Sequence, residues 1–176
     1  MPSIKHLFQY YFKTQSDISR ESLEFHLKNS YLFEYLSPTE LGRLKNICHE
    51  RTYKAGEYIF HTGKEADAVY IIKTGKVVIT CNPSPDKEEI LTELESGEFF
   101  GETGLLPKVQ RMANATAASQ TELIAIMRDE FNGFVGRFPR TGTKILLQLI
   151  NVLGQRLMKS NQEIVQSMKE SDDASA

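Results

Sequence analysis

Glycines divide the middle of the chain, from about residue 51 to residue 127, into short runs of β-branched and aromatic residues. The dividing glycines are Gly56, Gly63, Gly75 and Gly97. The runs between and after them are Tyr58–Phe60, Val69–Ile72, Lys76–Thr80, Ile90–Leu94, Ala115–Ala117 and Thr121–Met127. Residues 82–86, Asn-Pro-Ser-Pro-Asp, are predicted to form a turn. Short strands at regular spacing with turn signals between them indicate a β-sandwich or β-barrel.

Helical periodicity precedes this strand-rich region. Residues 1–15 place apolar and aromatic residues on one face, and a second helical stretch is predicted at residues 17–29. A third helix is predicted to begin at Ser37, because Ser37 and Glu40 can form a capping box around Pro38. We expect that helix to continue to about Cys48.

A helical pattern also follows the strands. Phe131, Phe134 and Phe138 recur at helical spacing, and Pro139 is predicted to end that helix. A long helix is then predicted at about residues 140–170. Its apolar stripe is Leu146, Leu149, Leu153, Leu157, Ile164 and Met168. This spacing is close to a coiled-coil period and favours a homodimer formed through helix 140–170.

These patterns together predict an α+β fold, with a short-stranded, jelly-roll-like β-barrel flanked by N-terminal helices and a long C-terminal helix. The predicted divisions are a helical extension at residues 1–30, the barrel at 31–138, and the long helix with a polar tail at 139–176. A length of 176 residues fits one ordinary domain with accessories.

Composition narrows the classes of function and location. The net charge of −2 argues against non-specific nucleic-acid binding. Cys48 and Cys81 form no disulfide framework and no metal-ligand spacing, which fits a reducing compartment. The chain has no apolar run long enough for a membrane span and no secretory signal, so we expect a cytoplasmic protein.

Residues 97–117 carry the strongest chemical signal. A glycine-rich turn is followed by the acid Glu102 and then by Arg111 among small residues. Glycine lets an anion approach the backbone N–H groups, and arginine offers a planar fork that matches phosphate oxygens. A carboxylate beside a phosphate site needs a hydrogen-bond donor as its partner, and a sugar hydroxyl can be that donor. The stretch therefore predicts a site for a sugar that carries one phosphate.

The signature Phe-Gly-Glu-x-(Gly/Ala)-Leu-(Leu/Ile) at Phe100 to Leu106, followed by Arg-x-Ala at Arg111 to Ala113, resembles the cyclic nucleotide-binding domain. That family includes the bacterial cAMP receptor protein and FNR proteins, kinase regulatory subunits and gated channels. The segments Gly56 to Phe60 and Ala68 to Gly75 also resemble strand patterns of the family. The resemblance covers about residues 31–165.

The resemblance implies specific roles. Backbone N–H groups from Gly101 through Leu105, a segment that includes Thr103 and Gly104, would bind the cyclic phosphate. Arg111, in the motif that continues through Met112 and Ala113, would neutralise it. Glu102 would accept a hydrogen bond from the ribose 2′-hydroxyl.

Three positions bear on which base is bound. Guanine-preferring relatives often have threonine after the arginine, whereas Met112 has no hydroxyl donor, so cAMP is favoured over cGMP. An alternative interpretation makes Met112 a gap-filling core side chain. An ungapped alignment on Arg156 and Leu157 places Ser160 and Asn161 where the cAMP receptor protein contacts the purine, one residue from each protomer. In the alternative interpretation, Ser160 and Asn161 are polar residues that interrupt the apolar stripe of a coiled coil.

The favoured function is therefore a cAMP-sensing regulatory module that signals through its C-terminal helix and through an unidentified protein effector. The alternative is an interaction protein that retains the fold but does not bind the ligand. We expect no DNA binding, because only a polar segment follows the long helix. We expect no catalysis, because His6, His26, His49 and His61 are scattered. Helix 1–15 is predicted to contact a partner or the dimer, the alternative being a membrane surface.

Overall fold

The computed structural model describes residues 23–84 and 87–173. The predicted helix at 1–15 and the first part of the predicted helix at 17–29 lie outside the described residues. A short helix, which is not labelled, occupies residues 23–28. The next helix, labelled α1, spans Pro38–Leu44.

The predicted capping box forms at the start of α1. The Ser37 backbone N–H donates to Glu40 Oε2 at 2.8 Å, and the Ser37 side chain accepts from the Glu40 N–H. The α-helix is shorter than expected, because it ends at Leu44 and a 3₁₀ turn, Lys45–Ile47, follows. Cys48 then has extended backbone angles, which direct the chain into the first strand.

Eight strands form two antiparallel sheets of four strands each. The strands are β1 His49–Tyr53, β2 Tyr58–Phe60, β3 Ala68–Thr74, β4 Lys76–Ser84, β5 Lys87–Glu95, β6 Phe99–Phe100, β7 Asn114–Ala117 and β8 Thr121–Met127. The first sheet has the order β1-β8-β3-β6 and the second β2-β7-β4-β5. The predicted jelly-roll-like barrel between helices is confirmed.

The strands differ from the sequence prediction at two kinds of place. β1 and β6 were not predicted, because β1 is largely polar and β6 has only two residues. The predicted turn at residues 82–86 is wrong in its first half, since β4 continues to Ser84. β4 pairs with β7 only as far as Thr80, so its end has a single strand neighbour, a position at which proline is tolerated.

The two central strands of the first sheet, β3 and β8, are buried on both faces. On β3, Ile71 faces the helices whereas Ile72 faces the barrel interior. The same alternation on β8 sends Ile124 toward the helices and Leu123 into the barrel. The helices thus pack against β3 and β8, and β3 also contacts the glycine-rich turn.

Two helices follow β8. They are α2, Arg128–Arg137, and α3, Pro139–Asp173, which has 35 residues. Pro139 both follows the end of α2 and opens α3, where its fixed φ and missing N–H suit the first turn. None of the helices among the described residues has the length and apolar character needed to cross a membrane.

The apolar stripe of α3 divides into two sets. Leu149 is only 8% exposed and belongs to the core with Ile145, so it packs within this chain. The side chains that remain exposed along the described part of the stripe are Leu146, Leu153, Leu157 and Ile164. The apolar contacts of α3 with the core are therefore made by its first half, from Ile145 to Val152.

Candidate functional site

The glycine-rich turn follows β6 and is held in a conformation that requires its glycines. Gly101 has φ 71°, in the left-handed region, and a 3₁₀ turn at Glu102–Leu105 begins immediately after it. A Cβ atom on Gly104 would lie 2.3 Å from the Ala68 carbonyl oxygen. The turn is therefore seated against the start of β3, and a side chain at Gly104 would push it away.

Arg111 is buried beneath this turn, with 3% of its surface exposed. Its Nη1 donates to the Gly101 carbonyl at 2.9 Å, and its Nη2 donates to the Ala68 carbonyl at 2.9 Å. The guanidinium carbon lies 4.0 Å from the centroid of the Phe60 ring. Arg111 thus connects the glycine turn, β3 and the aromatic wall of the barrel.

One guanidinium nitrogen of Arg111 is left without a hydrogen bond. The Nε atom is buried and has no hydrogen-bond partner among the described residues. The Asp67 carboxylate lies 3.8 Å from Nη2. Burial lowers the pKa of Arg111 from its ordinary value, with Tyr70, Asp67 and Glu102 opposing that effect, but an arginine still carries its charge at neutral pH. A buried cation with an unpaired donor favours an anionic ligand.

A cleft of about 620 Å³ opens beside Arg111. It brings together most of the residues predicted from the sequence, namely Gly101, Glu102, Thr103, Arg111, Met112, Ala113 and Ser160. Gly104, Leu105 and Asn161 do not line it. Gly104 instead supports the turn from below, and Leu105 contacts the apolar core.

The walls of the cleft are largely apolar. The second sheet contributes Ile79, Leu91 and Leu94, and Phe60 and Phe100 cover the barrel side. The Tyr70 and Phe100 rings stack with centroids 5.4 Å apart behind this surface. A cavity with apolar side chains, the buried cation Arg111 and the carboxylates of Glu98 and Glu102 suits a small ligand that has a charged end and a flat or apolar end.

Two cationic residues of the cleft were not predicted as site residues. Arg156 and Lys159 on α3 line it together with Ser160. Arg156 Nη1 lies 3.5 Å from Glu102 Oε1, and Nη2 donates to the Phe99 carbonyl at 2.9 Å. Arg156 served only to align the sequence; the signal that could have identified it is an arginine one helical turn before Ser160.

Met112 lies at the mouth of the cleft and is 83% exposed. The alternative interpretation of Met112 as a core-filling side chain was therefore wrong. Its exposure leaves the position after Arg111 open to a ligand.

The histidines in the described residues lie apart from one another. His49 Nε2 pairs with Glu130 at 2.7 Å, and His61 stacks on Tyr58 with centroids 4.2 Å apart. His26 contacts Phe25, and burial lowers its pKa. In the part of the chain that the structure describes, no group of three or more metal-ligating side chains could hold a metal ion, and both cysteines are free thiols.

Comparison with known proteins identifies the family to which this chain is similar. The family described as "Cyclic nucleotide-binding domain" matches residues 50–138. The chain is 32% identical to the cyclic AMP receptor protein of Thermus thermophilus over 138 residues, which covers 78% of this chain and 62% of that protein. It is 30% identical to a cGMP-dependent protein kinase of Caenorhabditis elegans over 107 residues, which covers 60% of this chain and 14% of the kinase.

Solved structures agree with the sequence comparisons. The crystal structure of the Thermus thermophilus catabolite activator protein has a TM-score of 0.69 and 32% sequence identity, and the match covers 77% of this chain and 62% of that one. The chain thus spans less than two thirds of the length of these relatives. Since the family match covers the barrel, the glycine turn and α2, the chain belongs to the cyclic nucleotide-binding domain family.

Proposed function

We propose that this protein is a regulatory module that binds cAMP in the cleft beside Arg111 and is not itself an enzyme. The observation that carries the proposal is the unpaired Nε donor of Arg111, which is buried beside the glycine turn. A cyclic phosphate carries a single negative charge, and one oriented cation with backbone N–H groups is sufficient to bind it.

Glu102 supports a ribose next to that phosphate. Its side chain is only 17% exposed, and it lines the cleft with Arg111. In this proposal the carboxylate accepts the ribose 2′-hydroxyl, which gives discrimination against 2′-deoxy analogues. Thr103 and Ala113 line the cleft near the phosphate, while Gly101, Gly104 and Leu105 hold the turn in position.

The preference for cAMP over cGMP rests on Met112 and Ser160. Met112 is at the mouth of the cleft and offers no hydroxyl to a guanine 2-amino group or to the phosphate. Ser160 lines the cleft from α3 and can either donate or accept a hydrogen bond at the purine edge. We assign Asn161, which does not line the cleft of its own chain, to the purine bound by the partner protomer of a homodimer.

The signal is proposed to pass through α3. A ribose hydroxyl on Glu102 competes with Arg156, which contacts the same carboxylate. The ligand would bind with different affinity to the state in which Arg156 contacts Glu102 and to the state in which Arg156 is displaced. Ligand binding therefore shifts the position of α3. The exposed side chains Leu146, Leu153 and Leu157 form the proposed dimer surface, and the module is proposed to act in the cytoplasm on a protein effector.

Isothermal titration with cAMP and cGMP tests the proposal. The wild-type protein is expected to bind cAMP more tightly than cGMP. Arg111→Lys, which keeps the charge but loses the planar fork, is expected to weaken cAMP binding by more than about tenfold. An absence of heat with either nucleotide at millimolar concentration, while the protein is folded, would support the alternative of an interaction protein that retains the fold without the ligand.

A further inference from the structure

A second groove, of about 320 Å³, lies where α1, the following 3₁₀ turn and α2 meet. It is lined by Arg43, Asn46, Ile47, Glu130, Gly133, Phe134, Arg137 and Phe138. None of these residues lines the cleft beside Arg111. We call this surface the hinge groove, because Phe138 lies between the end of α2 and the start of α3.

Two arginines give the hinge groove its charge. The guanidinium carbon of Arg43 lies 5.0 Å from the centroid of the Phe138 ring, and that of Arg137 lies 5.4 Å from the same centroid. Both side chains are exposed, and neither forms an ion pair with a carboxylate among residues 23–84 and 87–173. Glu130, the acid of the groove, is already paired with His49 at 2.7 Å. The groove therefore presents a net positive charge around an aromatic ring.

The floor of the groove is apolar and has room for a side chain. Ile47 and Phe134 belong to the apolar core or pack against it, and the Phe134 and Phe138 rings lie 5.2 Å apart. Gly133 is exposed, and a Cβ atom placed on it would meet no atom within 4 Å. An incoming apolar side chain can thus lie over Gly133 with the two guanidinium groups close by.

We infer that the hinge groove binds an acidic peptide segment of a partner protein. Carboxylates of the segment pair with Arg43 and Arg137, because the planar guanidinium fork matches a carboxylate in two-point contact. An apolar side chain between those carboxylates occupies the space over Gly133. The inference does not rest on nucleotide binding, since the two surfaces share no residue.

Charge complementarity selects this occupant over the chain's own N-terminal segment. Residues 1–22 contain Lys5, Lys13 and Arg20 against Asp17 and Glu21, which gives that segment an excess of positive charge. A basic segment would be repelled by two unpaired arginines. An acidic partner would gain two ion pairs.

Occupancy of the groove would affect the helices that follow the barrel. α2 continues directly from β8, and Phe138 separates it from α3. A segment bound to Arg43 and Arg137 joins α1 to the end of α2 and so resists their separation. The hinge groove is in this way an output surface for a partner, at the junction from which α3 extends.

Fluorescence anisotropy with a labelled peptide tests the inference on the full chain. The probe is acetyl-Glu-Glu-Leu-Phe-Glu-amide, and its neutral counterpart has glutamine in place of each glutamate. We expect the acidic probe to bind at least tenfold more tightly than the neutral one at low salt. The double variant Arg43→Glu with Arg137→Glu is expected to lose that binding, while Arg51→Glu, on β1, keeps it.

Filling the groove gives a second test that leaves its charge intact. Gly133→Met is expected to weaken binding of the acidic probe at least fivefold. Gly136→Met is the matched control, because Gly136 is exposed on the same helix, meets no atom within 4 Å of an added Cβ, and does not line the groove. Thermal melting verifies that each variant is folded.

Equal binding by the Arg43/Arg137 double variant and Arg51→Glu would overturn the inference. So would equal binding of the acidic and neutral probes, or equal effects of methionine at positions 133 and 136. Groove-dependent pelleting with phosphatidylserine vesicles, in the absence of peptide binding, would assign the surface to a membrane instead and would also overturn it.

Discussion

Arg156 on the long helix α3 lies 3.5 Å from the carboxylate of Glu102 in the glycine turn. The two residues are far apart in the sequence, and this contact joins the C-terminal helix to the cleft in which a nucleotide is proposed to bind. Arg156 also donates to the Phe99 carbonyl and lies over the Phe99 ring at 4.7 Å. Any ligand that engages Glu102 must therefore share it with α3 or displace Arg156.

Replacing Arg156 should uncouple α3 from the cleft. Arg156 is 40% exposed, so its ion pair is worth less than about 1 kcal/mol, and Arg156→Ala should raise amide exchange in the middle of α3 by about fivefold or less. In the wild-type protein cAMP should change that exchange, and in the variant the change should be smaller. Hydrogen–deuterium exchange measures both, with Arg140→Ala, outside the cleft on the same helix, as the control. An identical response to cAMP in all three proteins would exclude this coupling.

Removing the charge of Glu102 should weaken recognition of the ribose hydroxyl. The wild-type protein should bind cAMP more tightly than 2′-deoxy-cAMP by about 1.5–3 kcal/mol, the value of a hydrogen bond to a charged group. Glu102→Gln, whose amide oxygen still accepts a neutral hydrogen bond, should lower this difference to about 0.5–1.5 kcal/mol. Titration of both nucleotides against both proteins forms a double-mutant cycle. If the variant keeps the full discrimination, Glu102 does not contact the 2′-hydroxyl.

A hydroxyl at position 112 should improve cGMP binding. Met112→Thr places a donor at the mouth of the cleft, and we expect the ratio of cGMP to cAMP affinity to rise by about tenfold, the worth of one added hydrogen bond. Since Met112 is 83% exposed, the change should alter the free energy of unfolding by only about 0.5 kcal/mol. Met158→Thr, also exposed but outside the cleft, should leave the ratio unchanged. If the ratio of cGMP to cAMP affinity is similar in Met112→Thr and Met158→Thr, Met112 does not determine nucleotide specificity.

Two glycine-to-alanine variants should have opposite effects on stability. Gly104→Ala places its Cβ atom 2.3 Å from the Ala68 carbonyl oxygen, so it should lower the free energy of unfolding by about 1–3 kcal/mol and weaken cAMP binding. Gly154→Ala has open space on the exposed part of α3 and should leave binding unchanged while raising helix propensity by up to about 1 kcal/mol. Urea denaturation gives the free energies. If Gly104→Ala leaves the free energy of unfolding unchanged, the turn does not pack against β3 as described.

Stability should fall in acid because of Glu40. The Ser37 N–H donates to this carboxylate and Lys144 pairs with it at 2.9 Å, which lowers the pKa of Glu40 to about 2 from 4.5. A lowered pKa adds stability above the unfolded-state value, and that stability is lost as the pH falls from 4.5 toward 2. Glu40→Gln should cost about 1–2 kcal/mol at neutral pH and flatten the decline in acid, as measured by urea denaturation at several pH values. If the free energy of unfolding falls equally steeply with decreasing pH in the wild-type protein and in Glu40→Gln, Glu40 is not the cause of the loss of stability in acid.

The barrel was predictable where burial and sequence pattern agree. β3 and β8 are buried on both faces and consist of β-branched and apolar runs, which single them out in the sequence. β1 was not predictable, because its polar residues become a strand only through pairing with β8, for example His49 opposite Ala125. The division of the α3 stripe was hidden for a similar reason: Leu149 has the same periodicity as Leu153, and only packing against the body separates them.

The candidate site was predictable where one motif contains it. Gly101, Glu102 and Arg111 lie in a short segment whose spacing identifies them, and the cleft brings them together. Arg156 and Lys159 reach the cleft through the tertiary position of α3, and the local signal for Arg156 was its place one helical turn before Ser160. The unpaired Nε donor of Arg111 is likewise a property of the folded chain.

A crystal structure of the protein grown with cAMP would show whether the cleft beside Arg111 binds the nucleotide. We expect a phosphate oxygen within hydrogen-bond distance of Arg111 Nε and the ribose 2′-hydroxyl on Glu102. Density for cAMP at another surface, or a cleft without nucleotide at millimolar cAMP, would contradict this expectation.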